Sequence, residues 1–201
     1  MTTLLLIRHA SHAAVAHTLA GRLPGVLLSA EGQAQAERLA GRLASLPVDA
    51  IYSSPQARAV QTAQPLAARL GLSITPCDEL AEIDFGEWAG QRFDALSADG
   101  RWSHWNSFRS GAPLPGGGLM LQVQARAVAA LVELHRRHGD GVVAVFSHAD
   151  VIKAALAHYL GAPLDLLQRI EISPASVSVL ALHDWGAQIR RLNDTGSLFE
   201  S

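Results

Sequence analysis

The stretch Leu4-Leu5-Leu6-Ile7-Arg8-His9-Ala10 changes abruptly from an apolar run to two basic side chains. A short, uninterrupted apolar run is typical of a strand that is buried on both faces of a parallel sheet. The run therefore predicts a central strand over residues 3–7. Arg8 and His9 would then lie at the carboxyl end of that strand, where open α/β sheets bind their ligands.

Two more strand-like segments also end in polar side chains. The strand predicted for residues 48–53 is followed by Ser54-Pro55, and Arg58 comes about one helical turn later. The strand predicted for residues 142–146 is followed by Ser147-His148. Parallel strands present their carboxyl ends at one edge of a sheet, so these polar segments should lie close to Arg8 and His9.

The expected neighbours at this edge are cationic or can become so. They are Arg8, His9, Arg58 and His148. Such groups repel one another when they are brought together, and the arrangement is costly unless an anion lies between them. The convergence therefore predicts an anion-binding site.

Segments with helical spacing alternate with the predicted strands, which indicates an α/β fold. Helices are predicted for residues 29–46, 54–70, 120–137 and 150–160. Further strands are predicted for residues 72–75, 177–182 and 188–192, the last two as a terminal hairpin. The pattern predicts a three-layer α/β/α sandwich with a mainly parallel central sheet. We expect one domain over residues 1–201, with an inserted lid at about residues 80–118.

The predicted lid is irregular and holds aromatic side chains together with three arginines. They are Trp88, Trp102, Trp105 and Phe108, and Arg92, Arg101 and Arg109. One interpretation is a pocket for an aromatic or nucleoside-like group beside an anion. The favoured alternative is a small segment that packs around its own tryptophans.

Composition excludes several classes of function. The formal net charge is −2, so no general attraction to nucleic acid or to a membrane surface is implied. A single cysteine, Cys77, excludes an intramolecular disulfide and a Cys-rich zinc site. No signal-like or membrane-spanning segment is evident. These features predict a cytoplasmic protein that binds neither nucleic acid nor membranes.

Nine histidines raise the alternative of a metal site. His135 and His138 have the spacing of neighbours on a helix, but Arg136 and Arg137 lie between them. This pattern is typical of a solvated basic helix end that is favoured by the helix dipole. Neither a metal ion nor a cofactor is therefore expected.

Four motifs, in order along the chain, resemble the histidine phosphatase superfamily, in the branch similar to cofactor-dependent phosphoglycerate mutases. They are LLLIRHA at residues 4–10, SSPQARAVQTA at 53–63, ELAEIDFGEWAG at 79–90 and VFSHADVIKAAL at 145–156. The resemblance spans most of the chain.

The resemblance implies that His9 is a nucleophile that forms a phosphohistidine intermediate. It implies further that Glu82 is the general acid and base, with Glu79 as a rival close by in the sequence. Arg8, Arg58 and His148 would bind the phosphoryl oxygens, and no metal would be needed. The implied function is hydrolysis of a small phosphate ester.

The sequence departs from the family pattern at several positions. Ala10 and Ala149 replace glycines of the Arg-His-Gly and Ser-His-Gly motifs, and Gly118-Leu119 replaces a Glu-Ser pair. The apolar residues 14–16 stand where many relatives carry an asparagine. Substitute contacts could come from Arg22, the best candidate, or from Ser11, His12, His17 or Thr18.

These departures leave two alternatives open. One is a phosphoglycerate mutase-type phosphotransferase, and the other is a catalytically weak protein that binds a phosphorylated ligand. The terminal hairpin could pack within the chain or pair across a homodimer.

Overall fold

The computed structural model describes residues 1–13 and 17–196, and within them the chain forms a six-stranded sheet flanked by helices. The strands are β1 (Thr2–Arg8), β2 (Val48–Ser53), β3 (Ile74–Pro76), β4 (Val142–Ser147), β5 (Val177–His183) and β6 (Gly186–Asp194). The helices are α1 (Ala30–Leu43), α2 (Ala57–Leu70), α3 (Phe93–Ser97), α4 (Gly100–Ser107), α5 (Met120–His138) and α6 (Ala149–Leu160).

The sheet is mixed, with the strand order β3-β2-β4-β1-β5-β6. Strands β3, β2, β4 and β1 are parallel, whereas β5 pairs antiparallel with β1 and β6 pairs antiparallel with β5. The mainly parallel sheet and the terminal hairpin are as predicted.

Side chains of β1 alternate between two hydrophobic cores. Leu4 and Leu6 pack into the core that contains apolar residues of α5 and α6. Leu5 and Ile7 pack into the core that contains those of α1 and α2. Burial on both faces explains the uninterrupted apolar run, and it confirms the three-layer arrangement.

Two helix boundaries differ from the prediction. Helix α1 ends at Leu43 rather than near residue 46, because a turn closed by the bond from Leu46 N to Leu43 O precedes Pro47. Helix α2 begins at Ala57 rather than at Ser54, because Ser54 N donates to Phe146 O of the neighbouring strand at 2.9 Å. Pairing with β4 thus extends to Ser54, and helix α2 begins three residues later.

The segment at residues 80–118 contains the short helices α3 and α4, and its tryptophans pack on one another. The ring centroids of Trp88 and Trp102 lie 5.3 Å apart, edge to face, and Trp88 and Trp105 are fully buried. This packing agrees with the favoured interpretation of the tryptophans. That the segment acts as a lid, and that the chain is one domain, stay predictions.

The histidines at the end of α5 bond to hydroxyl groups. His135 Nδ1 lies 2.7 Å from Thr2 Oγ1, and His138 Nε2 lies 3.0 Å from Tyr52 OH. In the part of the chain that the structure describes, no group of three or more His, Cys, Asp and Glu residues is placed to hold a metal ion. No described helix is long and apolar enough to cross a membrane.

Candidate active site

The carboxyl ends of β1, β2 and β4 bring the predicted site residues together. His9 N, just beyond β1, donates to Ser147 O of β4 at 2.9 Å. His148 follows directly and is the N-cap residue of α6. The rings of His9 and His148 are 5.2 Å apart between centroids. Arg58 lies in the first turn of α2 and contacts the His148 ring.

His9 is held in one tautomer by its own loop. Its Nδ1 lies 2.8 Å from Ala10 O, and a carbonyl oxygen only accepts, so Nδ1 carries the proton and Nε2 keeps its lone pair. The side chain is only 3% exposed. Burial, followed by the charges of Arg58 and Arg8, lowers the pKa of His9 well below 6.5. His9 is therefore a neutral imidazole, the form in which a histidine is a nucleophile.

The loop after His9 is fixed by two helices. Ala10 N donates to Thr62 Oγ1 of α2, and Ser11 N donates to Gln35 Oε1 of α1, each at 2.9 Å. Gly32 permits the close approach of α1, since a Cβ there would lie 1.9 Å from Ser11 O. Of the two alanines that replace family glycines, Ala149 lines the cavity beside His9, whereas Ala10 is buried in a hydrophobic core.

The two arginines are anchored but keep unused donors. Arg8 Nη1 donates to Ile172 O at 2.7 Å, and Arg58 Nη2 donates to Gly21 O at 2.8 Å. Within the described residues, the buried Nε atoms of Arg8 and Arg58 have no hydrogen-bond partner. Both side chains line the cavity that His9 faces. Buried donors without partners are costly, and an anion in the cavity would satisfy them.

His148 is fully buried and is oriented by its neighbours. Arg58 Nη2 lies 3.0 Å from Nδ1 and can only donate, so Nδ1 accepts and Nε2 carries the proton. Nε2 lies 2.7 Å from Ser54 Oγ and 3.0 Å from Gln56 Oε1. Burial, followed by the Arg58 charge, lowers the pKa of His148 well below 6.5. This neutral ring fixes the position of Arg58, and its predicted direct contact with a phosphoryl group stays a prediction.

Glu82 lies at the cavity with its carboxyl group almost fully buried. Its Oε1 accepts from Ile83 N at 2.9 Å, and its Oε2 is 3.8 Å from His148 Nδ1. Burial, followed by the negative charge of Asp150, raises the pKa of Glu82 to about 7. A carboxyl group that titrates near neutral pH is suited both to give and to take a proton.

The rival Glu79 is exposed, and Cys77 Sγ lies 3.3 Å from its Oε2. Glu79 is not among the residues that line the cavity, whereas Glu82 is. Burial, followed by the hydrogen bond to Glu79, raises the pKa of the Cys77 thiol to about 11, which makes it a poor nucleophile.

Arg22 is exposed and is not among the cavity-lining residues. Its Nε donates to Glu82 O at 2.7 Å, so Arg22 holds the backbone of the predicted acid. Direct contact of Arg22 with a substrate stays a prediction. The position of residues 14–16, where relatives carry an asparagine, lies outside the described residues.

A cavity of about 220 Å³ opens beside His9. Besides the residues already placed, its lining includes His12, Thr18, Leu19, Ala20, Gly21, Phe85, Phe93, Trp102, Trp105, Asn106, Arg109, Asp150 and Gln168. The sequence named Arg109 only as one of several arginines beside a possible pocket, and it assigned no role to Asp150. Asp150 could have been noticed because it lies in the first turn of α6, two residues after His148.

Comparison with known proteins gives the same assignment. The model of the histidine phosphatase superfamily (branch 1) matches residues 4–195. The chain belongs to the histidine phosphatase superfamily.

Its relatives include phosphatases. The chain is 31% identical over 205 residues to Phosphoserine phosphatase 1 of Hydrogenobacter thermophilus, covering 100% of this chain and 96% of the relative. Among solved structures, Bacillus stearothermophilus YhfR has a TM-score of 0.90 at 28% identity, with 96% and 98% of the two chains covered. A mycobacterial glucosyl-3-phosphoglycerate phosphatase has a TM-score of 0.86 at 25% identity, with the same coverage. Some curated mycobacterial relatives are longer, and the chain spans 55% of their length.

These relatives support a phosphoric monoester hydrolase of this superfamily that acts on a small phosphorylated molecule. The mutase and the weak binding protein, the two alternatives from the sequence, are not favoured.

The neutral histidines of this phosphatase predict a loss of stability in acid. An unfolded chain binds a proton at each imidazole near pH 6.5, whereas folded His9 stays neutral well below that pH. The unfolded state therefore binds more protons, and each such histidine lowers the free energy of unfolding by about 1.4 kcal/mol per pH unit below about 6.5. Urea unfolding at pH 7, 6 and 5 in phosphate-free buffer measures this effect. The free energy of unfolding should decline less steeply with falling pH in His9→Gln than in the wild type. Equal declines would contradict the neutral state of His9.

Proposed function

We propose that the chain hydrolyses its phosphate ester through a phosphohistidine at His9. The observation that carries the proposal is the unprotonated Nε2 of a neutral, fixed imidazole in a cavity with two arginines and a carboxyl group that titrates near pH 7. In the first step Nε2 attacks phosphorus and the ester P–O bond breaks. Glu82 gives its proton to the departing oxygen.

In the second step a water molecule attacks the phosphohistidine and the P–N bond breaks. The Glu82 carboxylate takes the proton of that water, and inorganic phosphate leaves. The acid is thereby reprotonated for the next turnover.

The arginines act on the phosphoryl oxygens throughout. The guanidinium groups of Arg8 and Arg58 are anchored by hydrogen bonds to backbone carbonyls, and their Nε donors have no partner within the described residues. These side chains therefore need to move little when charge develops on the phosphoryl oxygens. Positioning and charge stabilisation supply most of the catalysis in phosphoryl transfer. The mechanism therefore needs no metal ion, and turnover should persist in excess chelator.

The substrate is a small phosphorylated metabolite. The names of the relatives point to different molecules, phosphoserine in one and glucosyl-3-phosphoglycerate in another, which share a phosphate ester and a carboxylate. A cytoplasmic location, a homodimer and the absence of nucleic-acid partners stay predictions.

The intermediate can be tested by rapid quenching. The Glu82→Gln variant should accumulate a protein that is heavier by one phosphoryl group when mixed with p-nitrophenyl phosphate, because a glutamine side chain cannot take a proton from the attacking water. The label should be acid-labile and alkali-stable, and peptide mapping should place it on His9. Label on another residue, or turnover without any label in the variant, would contradict the proposal.

A further inference from the structure

A buried arginine from the segment at residues 80–118 reaches the same cavity as the nucleophile. Arg109 is 2% exposed, and its Cζ lies 3.5 Å from the centroid of the Trp105 ring. Its Nη2 donates to Asn106 Oδ1 at 2.7 Å, and that oxygen also accepts from Gln168 Nε2 at 3.2 Å. Arg109 is thus held rigidly without being placed in the phosphoryl-transfer machinery described above.

Arg109 forms an ion pair with the acidic residue nearest the second histidine. Arg109 Nη1 lies 2.9 Å from Asp150 Oδ2, and the Asp150 side chain is 17% exposed. Both residues line the cavity, and the Asp150 charge acts on Glu82. The pair therefore lies in the cavity that Glu82 also lines, and the Asp150 charge reaches the proposed acid.

Both members of the pair have binding capacity left. Within the described residues, the buried Arg109 Nε has no hydrogen-bond partner, and a carboxylate can accept several bonds. The pair has no net charge, because the arginine and the carboxylate neutralise each other. A group that carries one charge of each sign complements such a pair better than a lone anion or a lone cation does.

We propose that Arg109 and Asp150 bind the leaving group of the substrate, with Arg109 on a carboxylate and Asp150 on an ammonium group. The favoured substrates are then phosphate esters of hydroxy amino acids. This inference rests on the proposed phosphatase function and adds the substrate class to it.

The size and walls of the cavity agree with a small zwitterion. Its volume of about 220 Å³ is below the 300–1,000 Å³ or so that is usual for larger organic ligands. Phe93, Trp102 and Trp105 line it. Arg109, which stacks on Trp105, is 2% exposed, and an ionic contact is stronger where water is excluded. A nucleotide or a phosphopeptide would extend beyond this cavity.

Three esters separate the two contacts. O-Phosphoserine carries a carboxylate and an ammonium group, O-phosphoethanolamine lacks the carboxylate, and 3-phosphoglycerate has a hydroxyl in place of the ammonium. In the wild type, kcat/KM for O-phosphoserine should exceed that for each of the other two by at least about tenfold. Equal values, or a preference for either of the other two esters, would overturn the inference. No turnover of any ester, p-nitrophenyl phosphate included, would instead overturn the phosphatase function.

A double variant tests the residues themselves. Arg109→Gln with Asp150→Asn removes both charges and retains hydrogen-bonding groups, so the preference for O-phosphoserine should fall to within about threefold. The matched control is Arg101→Gln with Asp99→Asn, a more exposed ion pair with an N–O distance of 2.8 Å in the same segment, which should keep the preference. The preference is a ratio of two kcat/KM values measured on one protein. A general loss of folding or chemistry lowers both values alike and leaves the ratio unchanged. A preference that survives in the first variant would overturn the assignment.

Discussion

Replacing His9 with alanine is expected to lower kcat for p-nitrophenyl phosphate by at least about 10⁴-fold, because the proposed covalent intermediate forms on His9. His12 also lines the cavity, with its ring centroid 5.3 Å from that of His9. Steady-state assays in excess chelator would measure the loss. Retained turnover in the variant would show that the nucleophile is another residue.

Two further measurements separate loss of the nucleophile from loss of the site. The His9→Ala protein should still bind inorganic phosphate in calorimetry, because the unpartnered Nε donors of Arg8 and Arg58 remain. The matched control is His12→Ala, which removes the ring next to His9. This variant should lower kcat for p-nitrophenyl phosphate by about tenfold or less. A comparable loss in both variants would mean that removing either ring damages the loop.

Much of the fold was predictable because its signals are local. The apolar run of β1 is uninterrupted because alternate side chains enter different cores, and β4 shows the same pattern for the same reason. His9, Arg58 and His148 could be grouped without a structure, since parallel strands deliver their ends to one edge. The helix boundaries at Leu43 and Ala57 were missed because a turn before Pro47 and a bond to β4 override helical spacing.

The rest of the site depends on contacts between distant parts of the chain. Arg109 and Asp150 are separated by 41 positions, and nothing periodic links an arginine in an irregular segment to an aspartate in a helix. Arg22 shows the converse limit. It was the best candidate for a substitute contact, yet in the structure its Nε donates to the Glu82 carbonyl oxygen. The sequence does not determine the direction of a long side chain.

Replacing Glu82 with glutamine is expected to slow hydrolysis of alkyl phosphate esters by about 10² to 10⁴-fold, the usual contribution of a general acid. Nitrophenolate leaves without needing a proton, so cleavage of the P–O bond in p-nitrophenyl phosphate should slow much less. Rapid-mixing measurements of the first turnover would give both values. The exposed Glu79 offers the matched control, and Glu79→Gln should behave as the wild type. The reverse result would assign the acid to Glu79.

The pH profile gives an independent test of the same residue. Glu82 must carry its proton to release the alkoxide, and burial and the Asp150 charge raise its pKa to about 7. In the wild type, kcat/KM for an alkyl ester should therefore fall as the pH rises through about 7, because the acid form is lost. Glu82→Gln has no proton to lose at this position, so the fall near pH 7 should disappear while a low, flat rate remains. If the fall in kcat/KM near pH 7 persists unchanged in the variant, it belongs to the titration of another group. Glu82 would then be a structural carboxylate rather than the acid.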